Sequence, residues 1–420
     1  MSLRAIVKQS LILVGTKQYG AGRLCLSTVY SLLFTFICIP PNGVAEIEPP
    51  AEPANIAYYL PHDIHIIKTV RVALLDDVQE AKLSFNSPII VQTIETDDPI
   101  GSFHMKGKNR VIPTRTGFQL GKEQFKIYGA LIRSAENEFT LNDIRYRGDL
   151  VIIREKDMTL LFINYVNLED YLRGVLPKEV SPQWGLEALK AQAVVSRTYA
   201  VFSELSNIIA DYSMEKTVAS QLYGGMSIEH DATDKAVTDT QGEVLTYRGT
   251  IFPGYFHANC GGHTTRPDTV WHVKPHPLLH GVSCPYCKDT KHYQWSWGVS
   301  SDIIKKELIA SGQSIGTIYN IRAKEKDDSG RITCFEIRSS KGTIDMKGNV
   351  FRLALDPEKL RSTKIENISK DDTSFIFVGQ GWGHGVGLCQ WGAKVMADRG
   401  MKYEEILRHY FPEAECINIY

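Results

Sequence analysis

The sequence predicts an α+β protein, in which a β-rich N-terminal subdomain packs on a mixed α/β region that contains one long helix. Short runs of β-branched and aromatic residues, separated by turn residues, occupy residues 69–165. The longest helical pattern runs from about Pro182 to Leu205, and its Ala-rich centre indicates tight packing on one face. Strand-like runs then return within residues 166–420, which we treat as the second region. These propensities give the fold class and leave the topology open.

Six runs predict the N-terminal strands, and in chain order they are VRVALL, PIIVQTI, QFKIYGALI, FTLNDIRYRG, LVIIRE and LLFINYV. After the long helix, strands are predicted for GEVLTY, IFPGYFH, TIYNIRAKEK and ITCFEIRSS. A Cys/His-rich loop at residues 257–292 lies between the second and third of these runs. We expect the C-terminal part to begin as a Gly-rich loop and to continue as a helix near Gln390 to Arg399. A second short helix is predicted for Tyr403 to Tyr410.

The N-terminus has the pattern of a targeting segment. Residues 1–45 contain four basic residues and no acidic one, and Leu24 to Ile39 is a run of 16 uncharged residues. This pattern predicts a secretory signal cleaved after Ala45, with an uncleaved membrane anchor as the alternative. Residues 46–68 begin with a Pro-rich stretch and are predicted to form an extended linker. We therefore expect an exported protein of the periplasm or cell envelope that meets a membrane only through its N-terminal segment.

Composition excludes some partners. The chain has 420 residues and a formal net charge of −1, so it lacks the basic surface that nucleic-acid binding requires. A chain of this length can bury a substantial core and form two or three domains.

The stretch GVLPKEVSPQWGLEALKAQAVVSRTYA (Gly174 to Ala200) carries the first set of candidate residues. Glu179 lies in a Pro-bounded turn before the predicted helix, where Ser181 can act as the cap and Pro182 suits the first position. Residues seven apart lie on nearly the same helix face, so Lys190 and Arg197 should form one cationic stripe. Gln192 lies on the same helix and adds a polar side chain.

The stretch GQGWGHGVGLCQWGAKVMADRG (Gly379 to Gly400) carries the second set, His384 and Gln390, together with two Trp residues. Glycines allow backbone to approach a ligand closely, and Trp rings suit the faces of sugars. A carboxylate, polar and cationic groups and aromatic rings are what a carbohydrate-cleaving cleft needs. Because a polysaccharide must be held from several segments, we expect Glu179 and His384 to line one open groove.

Both stretches resemble the signature blocks of the SpoIID/LytB family (stage II sporulation protein D and amidase enhancer). SQLYGG (Ser220 to Gly225), AVTDTQGEVLTY and NCGGHT, which lie between them, resemble the same family. The resemblance covers roughly Val70 to Pro412 in colinear order. It implies a lytic transglycosylase that cleaves peptidoglycan glycan strands, preferably strands stripped of stem peptides, with Glu179 as the catalytic residue. It also implies substrate-binding roles for Lys190, Gln192, Arg197, Gln221, His384 and Gln390.

Such an enzyme needs one carboxyl group in two roles, first as an acid towards the glycosidic oxygen and then as a base towards the C6 hydroxyl. No cofactor is needed for this chemistry. The alternative is a non-catalytic enhancer that binds glycan or a cell-wall amidase. A third alternative is a structural envelope protein.

The expected electrostatics of Glu179 are in conflict with the acid role. A helix N-terminus and the cations Lys190 and Arg197 would lower the pKa of Glu179, whereas a general acid needs a raised pKa. Burial beside Trp184 or Trp382 would raise it, as an apolar wall does for the lysozyme acid, which is a standard example of this effect. The sequence leaves the balance open.

The Cys/His-rich loop predicts a structural metal site. Cys260 and His263 form a C-x2-H pair, and Cys284 and Cys287 form a C-x2-C pair, which together fit a closed zinc site. A disulfide is the alternative in an exported protein, and free thiols are the third possibility. The resemblance implies a zinc site between the catalytic helix and SQLYGG in relatives, but residues 201–223 contain neither Cys nor His here. That site therefore cannot be transferred to this chain.

Overall fold

The computed structural model describes residues 67–94, 96–217 and 220–420. The signal or anchor predicted at residues 1–45 lies outside the described residues, and so does nearly all of the predicted linker. Within the described part of the chain, no helix combines the length and apolar character needed to span a membrane.

The N-terminal region consists of short strands, as predicted, and most of them pair antiparallel. They are β1 (Thr69–Val78), β2 (Ala81–Ser84), β3 (Ile89–Thr93), β4 (Pro99–Phe103), β5 (Asn109–Thr114), β6 (Gly117–Leu120), β7 (Glu123–Phe125), β8 (Gly129–Ser134), β9 (Glu138–Leu141), β10 (Ile144–Arg147), β11 (Asp149–Arg154) and β12 (Leu160–Asn167). A seven-stranded sheet has the order β13-β1-β12-β11-β8-β3-β4, in which β13 (Met214–Glu215) runs parallel to β1. A six-stranded sheet has the order β10-β9-β2-β5-β6-β7.

The two sheets share one hydrophobic core with the first helices. Side chains alternate across each strand, so Val72 and Phe162 face this core while Ala73 and Ile163 form a smaller cluster on the other face. The helices that complete the main core are α1 (Leu168–Arg173), α2 (Leu176–Glu179) and α3 (Leu186–Ser206).

The long helix α3 begins later than predicted. Residues 181–184 form a turn, in which the Trp184 amide donates to the Ser181 carbonyl over 3.0 Å. Gly185, in a non-helical conformation, is the N-cap, and Ser181 does not cap the helix. The Ala-rich centre is buried on two faces rather than one, because Ala193 packs into the first core and Ala191 into a second core. Small side chains let both cores approach the helix closely.

The second core is built by the segments that follow α3. These are β14 (Glu243–Tyr247), β16 (Phe256–His257), α5 (Pro267–Val270), β23 (Leu388–Cys389), α8 (Gln390–Asp398) and α9 (Tyr403–Tyr410). Helix α4 (Asp231–Asp239) and strands β15 (Thr250–Ile251) and β24 (Glu415–Asn418) also follow α3, but they pack against the first core. The predicted helices at residues 390–399 and 403–410 are confirmed as α8 and α9. β16 pairs in parallel with β23, which places the Cys/His-rich loop beside the Gly-rich block.

Residues 294–380, here called the inserted segment, have a hydrophobic core of their own. The segment contains β17 (Gln294–Ser300), α6 (Ser301–Ala310), β18 (Ile318–Lys326), β19 (Ile332–Ser339), β20 (Gly342–Lys347), α7 (Gly348–Leu355), β21 (Ile365–Lys370) and β22 (Ser374–Gln380). Phe335, Phe351 and Phe377 lie at its centre. Of these elements, strands β18 and β19 were predicted from the sequence, and neither helix was. The fold is α+β, as expected.

Candidate functional site

Glu179 is the last residue of the short helix α2, so it does not lie at the N-terminus of the long helix. Its carboxylate accepts a hydrogen bond from the Leu222 backbone amide over 2.8 Å. Burial raises the pKa of Glu179 from 4.5 to about 7, and the Leu222 amide acts in the opposite direction. Neither Lys190 nor Arg197 contributes to this shift. The carboxyl group can therefore give up or take a proton near neutral pH.

The two signature blocks meet at Gln390. Its side-chain amide donates to the Glu179 backbone carbonyl over 3.2 Å and to the Gln192 side-chain oxygen over 3.3 Å. Gln192 in turn donates to the Ser196 hydroxyl over 3.0 Å. Both glutamines are buried, and their hydrogen bonds hold the turn that carries Glu179. These contacts indicate a positioning role, and substrate binding by Gln192 and Gln390 stays a prediction.

The segment SQLYGG reaches Glu179 through its backbone. Gln221, predicted to bind substrate, is fully buried. Its side chain accepts a hydrogen bond from the Tyr171 hydroxyl over 3.0 Å and donates to the Ser196 carbonyl over 3.4 Å. The prediction for Gln221 is therefore wrong as to contact, because these internal bonds hold its side chain. The neighbouring residue Leu222 makes the contact through its amide, which no side-chain pattern could reveal.

Two tyrosines near Glu179 were not identified from the sequence. Burial raises the pKa of Tyr171 and Tyr199, and the charge of Glu179 adds to both shifts. Both phenols are therefore neutral at physiological pH and within electrostatic range of the carboxyl group.

Arg197 belongs to the protein interior and does not line a groove. It is 0% exposed, and its guanidinium forms two hydrogen bonds with the Glu169 carboxylate, at 3.0 and 2.7 Å. It also donates to the carbonyls of Val237 and Glu243. The substrate-binding role predicted for Arg197 is therefore wrong, because all these partners are parts of the fold.

Lys190 shares the helix face of Arg197, as the seven-residue spacing predicts, but this face packs towards α4. Its ammonium group lies 3.1 Å from the Asp239 carboxylate and over the ring of Tyr403. Gln192 is two residues further on, which turns it by about 200° to the side of Gln390. The substrate-binding role of Lys190 stays a prediction, which these contacts within the fold do not support.

His384 shapes the Gly-rich loop. Its Nδ1 accepts a hydrogen bond from the Val386 amide over 3.1 Å, and its ring lies 4.8 Å from that of Trp271. Burial, followed by the charges of His257 and Arg352, holds the pKa of His384 well below its ordinary value, so the ring is neutral. These contacts indicate a role in the turn, and a shared groove with Glu179 stays a prediction.

A continuous strip of half-buried rings begins five residues after Glu179. Trp184 contacts Trp391 with centroids 5.3 Å apart, Trp391 contacts His292 at 5.5 Å, and His292 contacts Trp382 at 4.7 Å. The Arg361 guanidinium lies 4.9 Å from the centre of the Trp382 ring. Gln390, the residue before Trp391, bonds the Glu179 backbone carbonyl, so the strip adjoins the turn that carries the carboxyl group. Partly exposed aromatic rings are suited to sugar binding.

Four buried cysteines form a second candidate site, here called the thiol cluster. Its members are Cys260, Cys284, Cys287 and Cys389, whose sulfur atoms all lie within 4.8 Å of one another. The predicted ligand His263 is replaced by Cys389. The His263 Nδ1 instead lies 2.6 Å from the Thr264 carbonyl oxygen. Cys389 is not part of a C-x2-C or C-x2-H pair in the sequence. It reaches the cluster through the pairing of β16 with β23.

The thiol cluster fits a tetrahedral soft metal ion. Four thiolates at about 2.3 Å from zinc would place their sulfur atoms about 3.8 Å apart, and Cys260 Sγ lies 3.4 Å from Cys287 Sγ. The Cys260 amide donates to Cys389 Sγ over 3.2 Å, a contact that favours a thiolate. None of the described cysteines forms a disulfide. The donor set therefore suits zinc, which would be held as a closed structural site.

The fold and the site define an α+β protein with a half-buried, titrating carboxyl group where two Gly- and Trp-containing blocks meet. Residues 156–247 match the family described as stage II sporulation protein, SpoIID, and residues 285–387 match a domain family of unknown function, DUF8618. The chain belongs to the SpoIID/LytB family.

Three relatives show how far the similarity extends. An uncharacterized protein of Brachyspira hyodysenteriae is 33% identical over 356 residues, which cover 83% of this chain and 93% of the relative. The amidase enhancer of Bacillus subtilis is 29% identical over 70% of this chain, but the match spans only 48% of that protein. Stage II sporulation protein D of Bacillus subtilis is 26% identical over 59% of this chain and 74% of its own length.

Proposed function

We propose that this protein is a peptidoglycan lytic transglycosylase of cell-wall remodelling, which cleaves glycan strands between N-acetylmuramic acid and N-acetylglucosamine. The observation that carries the proposal is the half-buried Glu179 carboxyl group with its pKa raised to about 7. A group that must act first as acid and then as base works best when both of its forms are populated at the working pH.

In the proposed reaction, protonated Glu179 gives its proton to the glycosidic oxygen as the bond from that oxygen to the muramic acid C1 breaks. The resulting carboxylate then takes the proton of the C6 hydroxyl, and the C6 oxygen bonds to C1. The product is a 1,6-anhydro ring, no water is consumed, and Glu179 ends protonated. The Leu222 amide stabilises the carboxylate between the two steps, since it donates to the ionised oxygen.

The ring strip from Trp184 to Trp382 is the proposed wall on which successive sugars rest. A strand stripped of its peptides suits such a wall, because bare sugar rings can stack closely on indole faces. Tyr171 and Tyr199 are buried beside the carboxyl group and keep its surroundings poorly solvated.

The second candidate function is a non-catalytic enhancer that binds and activates a cell-wall amidase. The similarity to a protein named amidase enhancer favours it. In this case the purified protein would release no anhydro fragments alone, and an amidase would work faster in its presence.

The thiol cluster is proposed to hold a structural zinc ion, because its four sulfur donors are buried and close together. The proposed reaction of Glu179 requires no metal. We also propose export to the cell envelope, on the basis of the charge pattern of residues 1–45.

The test is mass analysis of glycan fragments after incubation of peptide-stripped strands with the purified protein. Wild type should produce 1,6-anhydro ends, and Glu179→Gln should reduce the rate by about 10²–10⁴-fold, the range typical for loss of a general acid/base. The exposed Glu215→Gln variant is the matched control and should retain full activity. Near-normal turnover by folded Glu179→Gln would refute the assignment, and absence of anhydro ends in wild type would favour the enhancer.

A further inference from the structure

Arg331, on the inserted segment, is a buried cation that forms no salt bridge with any described Asp or Glu. It is 1% exposed, and among the described residues no carboxylate lies within salt-bridge distance of its guanidinium. The nearby Asp327 carboxylate accepts the backbone amide of Arg331 instead, over 3.0 Å. The Nε of Arg331 has no hydrogen-bond partner in the described part of the chain. The Asp327 carboxylate offsets part of the Arg331 charge from beyond salt-bridge distance. A buried charge that is only partly compensated is costly, so a further anion nearby would stabilise it.

The guanidinium of Arg331 points at the backbone that carries the thiol cluster. It donates to the Cys260 carbonyl over 2.7 Å and to the His263 carbonyl over 2.9 Å. Lys364, also on the inserted segment, donates to the Gly261 carbonyl over 2.6 Å. Two cations from one segment therefore converge on the turn that begins with the first cysteine of the cluster.

The thiol cluster itself can supply further negative charge. Four thiolates around a divalent cation carry a formal double negative charge, which two nearby cations would offset. We propose that Arg331 and Lys364 are the counter-cations of a metal centre formed by Cys260, Cys284, Cys287 and Cys389, and that metal binding docks the inserted segment onto the Gly-rich block. The inference rests on the structural zinc proposed above and is independent of glycan cleavage.

The same contacts connect the metal centre to Glu179. Cys389 directly precedes Gln390, whose side chain bonds the Glu179 carbonyl. Gly385 lies against the Arg331 guanidinium, and a Cβ at this position, with its positive φ of 89°, would collide with it. Loss of the metal or of Arg331 should therefore loosen both the inserted segment and the start of α8.

The experiment measures zinc affinity by competition with a chelator for wild type, Arg331→Met and Lys364→Met. Matched controls are Arg338→Met, on the strand that follows Arg331 but exposed, and the exposed Lys359→Met. Loss of a group beyond the ligands typically weakens metal binding about 10–100-fold, and we expect this for both test variants and for neither control. Hydrogen exchange of residues 294–380 should rise on chelation of wild type.

Because Arg331→Met removes a buried side chain and could fail to fold, Lys364→Met decides the question in that case. Cobalt-loaded protein adds a spectroscopic measurement, since thiolate-to-metal absorption should be weaker in the test variants at matched cobalt concentration. Wild-type zinc affinity in folded Arg331→Met and Lys364→Met would overturn the counter-cation role. Unchanged exchange of residues 294–380 after complete zinc removal would overturn the docking role. Failure to find anhydro products would leave both results intact and would bear only on the proposed catalysis.

Discussion

The side chain of Gln390 donates a hydrogen bond to the backbone carbonyl of Glu179 over 3.2 Å, although 211 residues separate them in the chain. The same amide bonds Gln192 on the long helix. Helix α8 and helix α3 are therefore both anchored to the turn that presents the carboxyl group. This arrangement explains why the two blocks need polar residues at buried positions, where an unpaired polar group would be costly.

Gln390→Leu should lower both stability and activity. It leaves the Glu179 carbonyl and the Gln192 oxygen without a donor, which typically costs about 1–3 kcal/mol. We expect kcat for glycan cleavage to fall with little change in KM, because Gln390 positions the acid and does not hold the sugar. Urea unfolding and steady-state kinetics measure the two effects, with exposed Gln124→Leu as control. A variant with wild-type kcat would contradict the positioning role.

Glu179→Gln should stabilise the protein at alkaline pH. The folded pKa of about 7 lies above the ordinary 4.5, so between these values the folded state holds a proton that the unfolded chain has released. The free energy of unfolding of wild type therefore falls as pH rises through this window, by on the order of 3 kcal/mol. The substituted amide carries no charge, so we expect the variant to gain this amount relative to wild type at about pH 8 and to match it at about pH 4. Parallel stability curves for the two proteins would contradict a raised pKa.

The rate of glycan cleavage should report the same titration. Because the first step needs protonated Glu179, kcat/KM should be level just below the pKa of about 7 and fall about tenfold per pH unit above it. The measurement is the initial rate of anhydro-end formation across the neutral and alkaline range. A rate that stays constant well above pH 7 would show that another group donates the proton.

Local patterns in the sequence predicted those helices, strands and cysteine pairs that depend on residues close together in the chain. The helices α8 and α9 and the strands of the N-terminal sheets follow from periodicity, and the Cys284–Cys287 pair follows from spacing. The start of α3 was missed because the expected capping residues near Pro182 form a turn of their own, and the helix begins only after Gly185. Local propensity could not distinguish a start at Pro182 from a start after Gly185.

The remaining features depend on contacts between distant segments. The pKa of Glu179 is set by burial and by the amide of Leu222, which lies 43 residues later in the chain. Cys389 meets Cys260 across 129 residues through the β16–β23 pairing. The sequence predicted a substrate-binding role for Arg197 because it does not reveal the ion pair with Glu169, which lies 28 residues earlier on a different helix.

Arg197→Met should destabilise the fold without a specific effect on substrate binding. It leaves the Glu169 carboxylate buried, and among the described residues only the Gly242 amide and the Tyr420 hydroxyl remain as its donors. Breaking one side of a buried ion pair typically costs about 3–5 kcal/mol. The double variant Arg197→Met/Glu169→Gln should recover part of this loss, because it removes the unpaired charge. A raised KM with unchanged unfolding free energy would instead restore the substrate-binding prediction for Arg197.

Cys389→Ser and His263→Ala distinguish the metal ligands found in the structure from those predicted by sequence spacing. Cys389 lies in the thiol cluster, whereas the His263 ring faces the Thr264 carbonyl oxygen. We expect close to one zinc per chain in wild type and in His263→Ala, and marked loss of zinc in Cys389→Ser. Because structural zinc contributes directly to folding, Tm should fall in Cys389→Ser and in chelated wild type. The exposed Cys416→Ser is the control for loss of a thiol outside the cluster. Equal zinc in all variants would exclude Cys389 as a ligand, and zinc-free protein with a mass showing oxidised cysteines would favour the disulfide alternative.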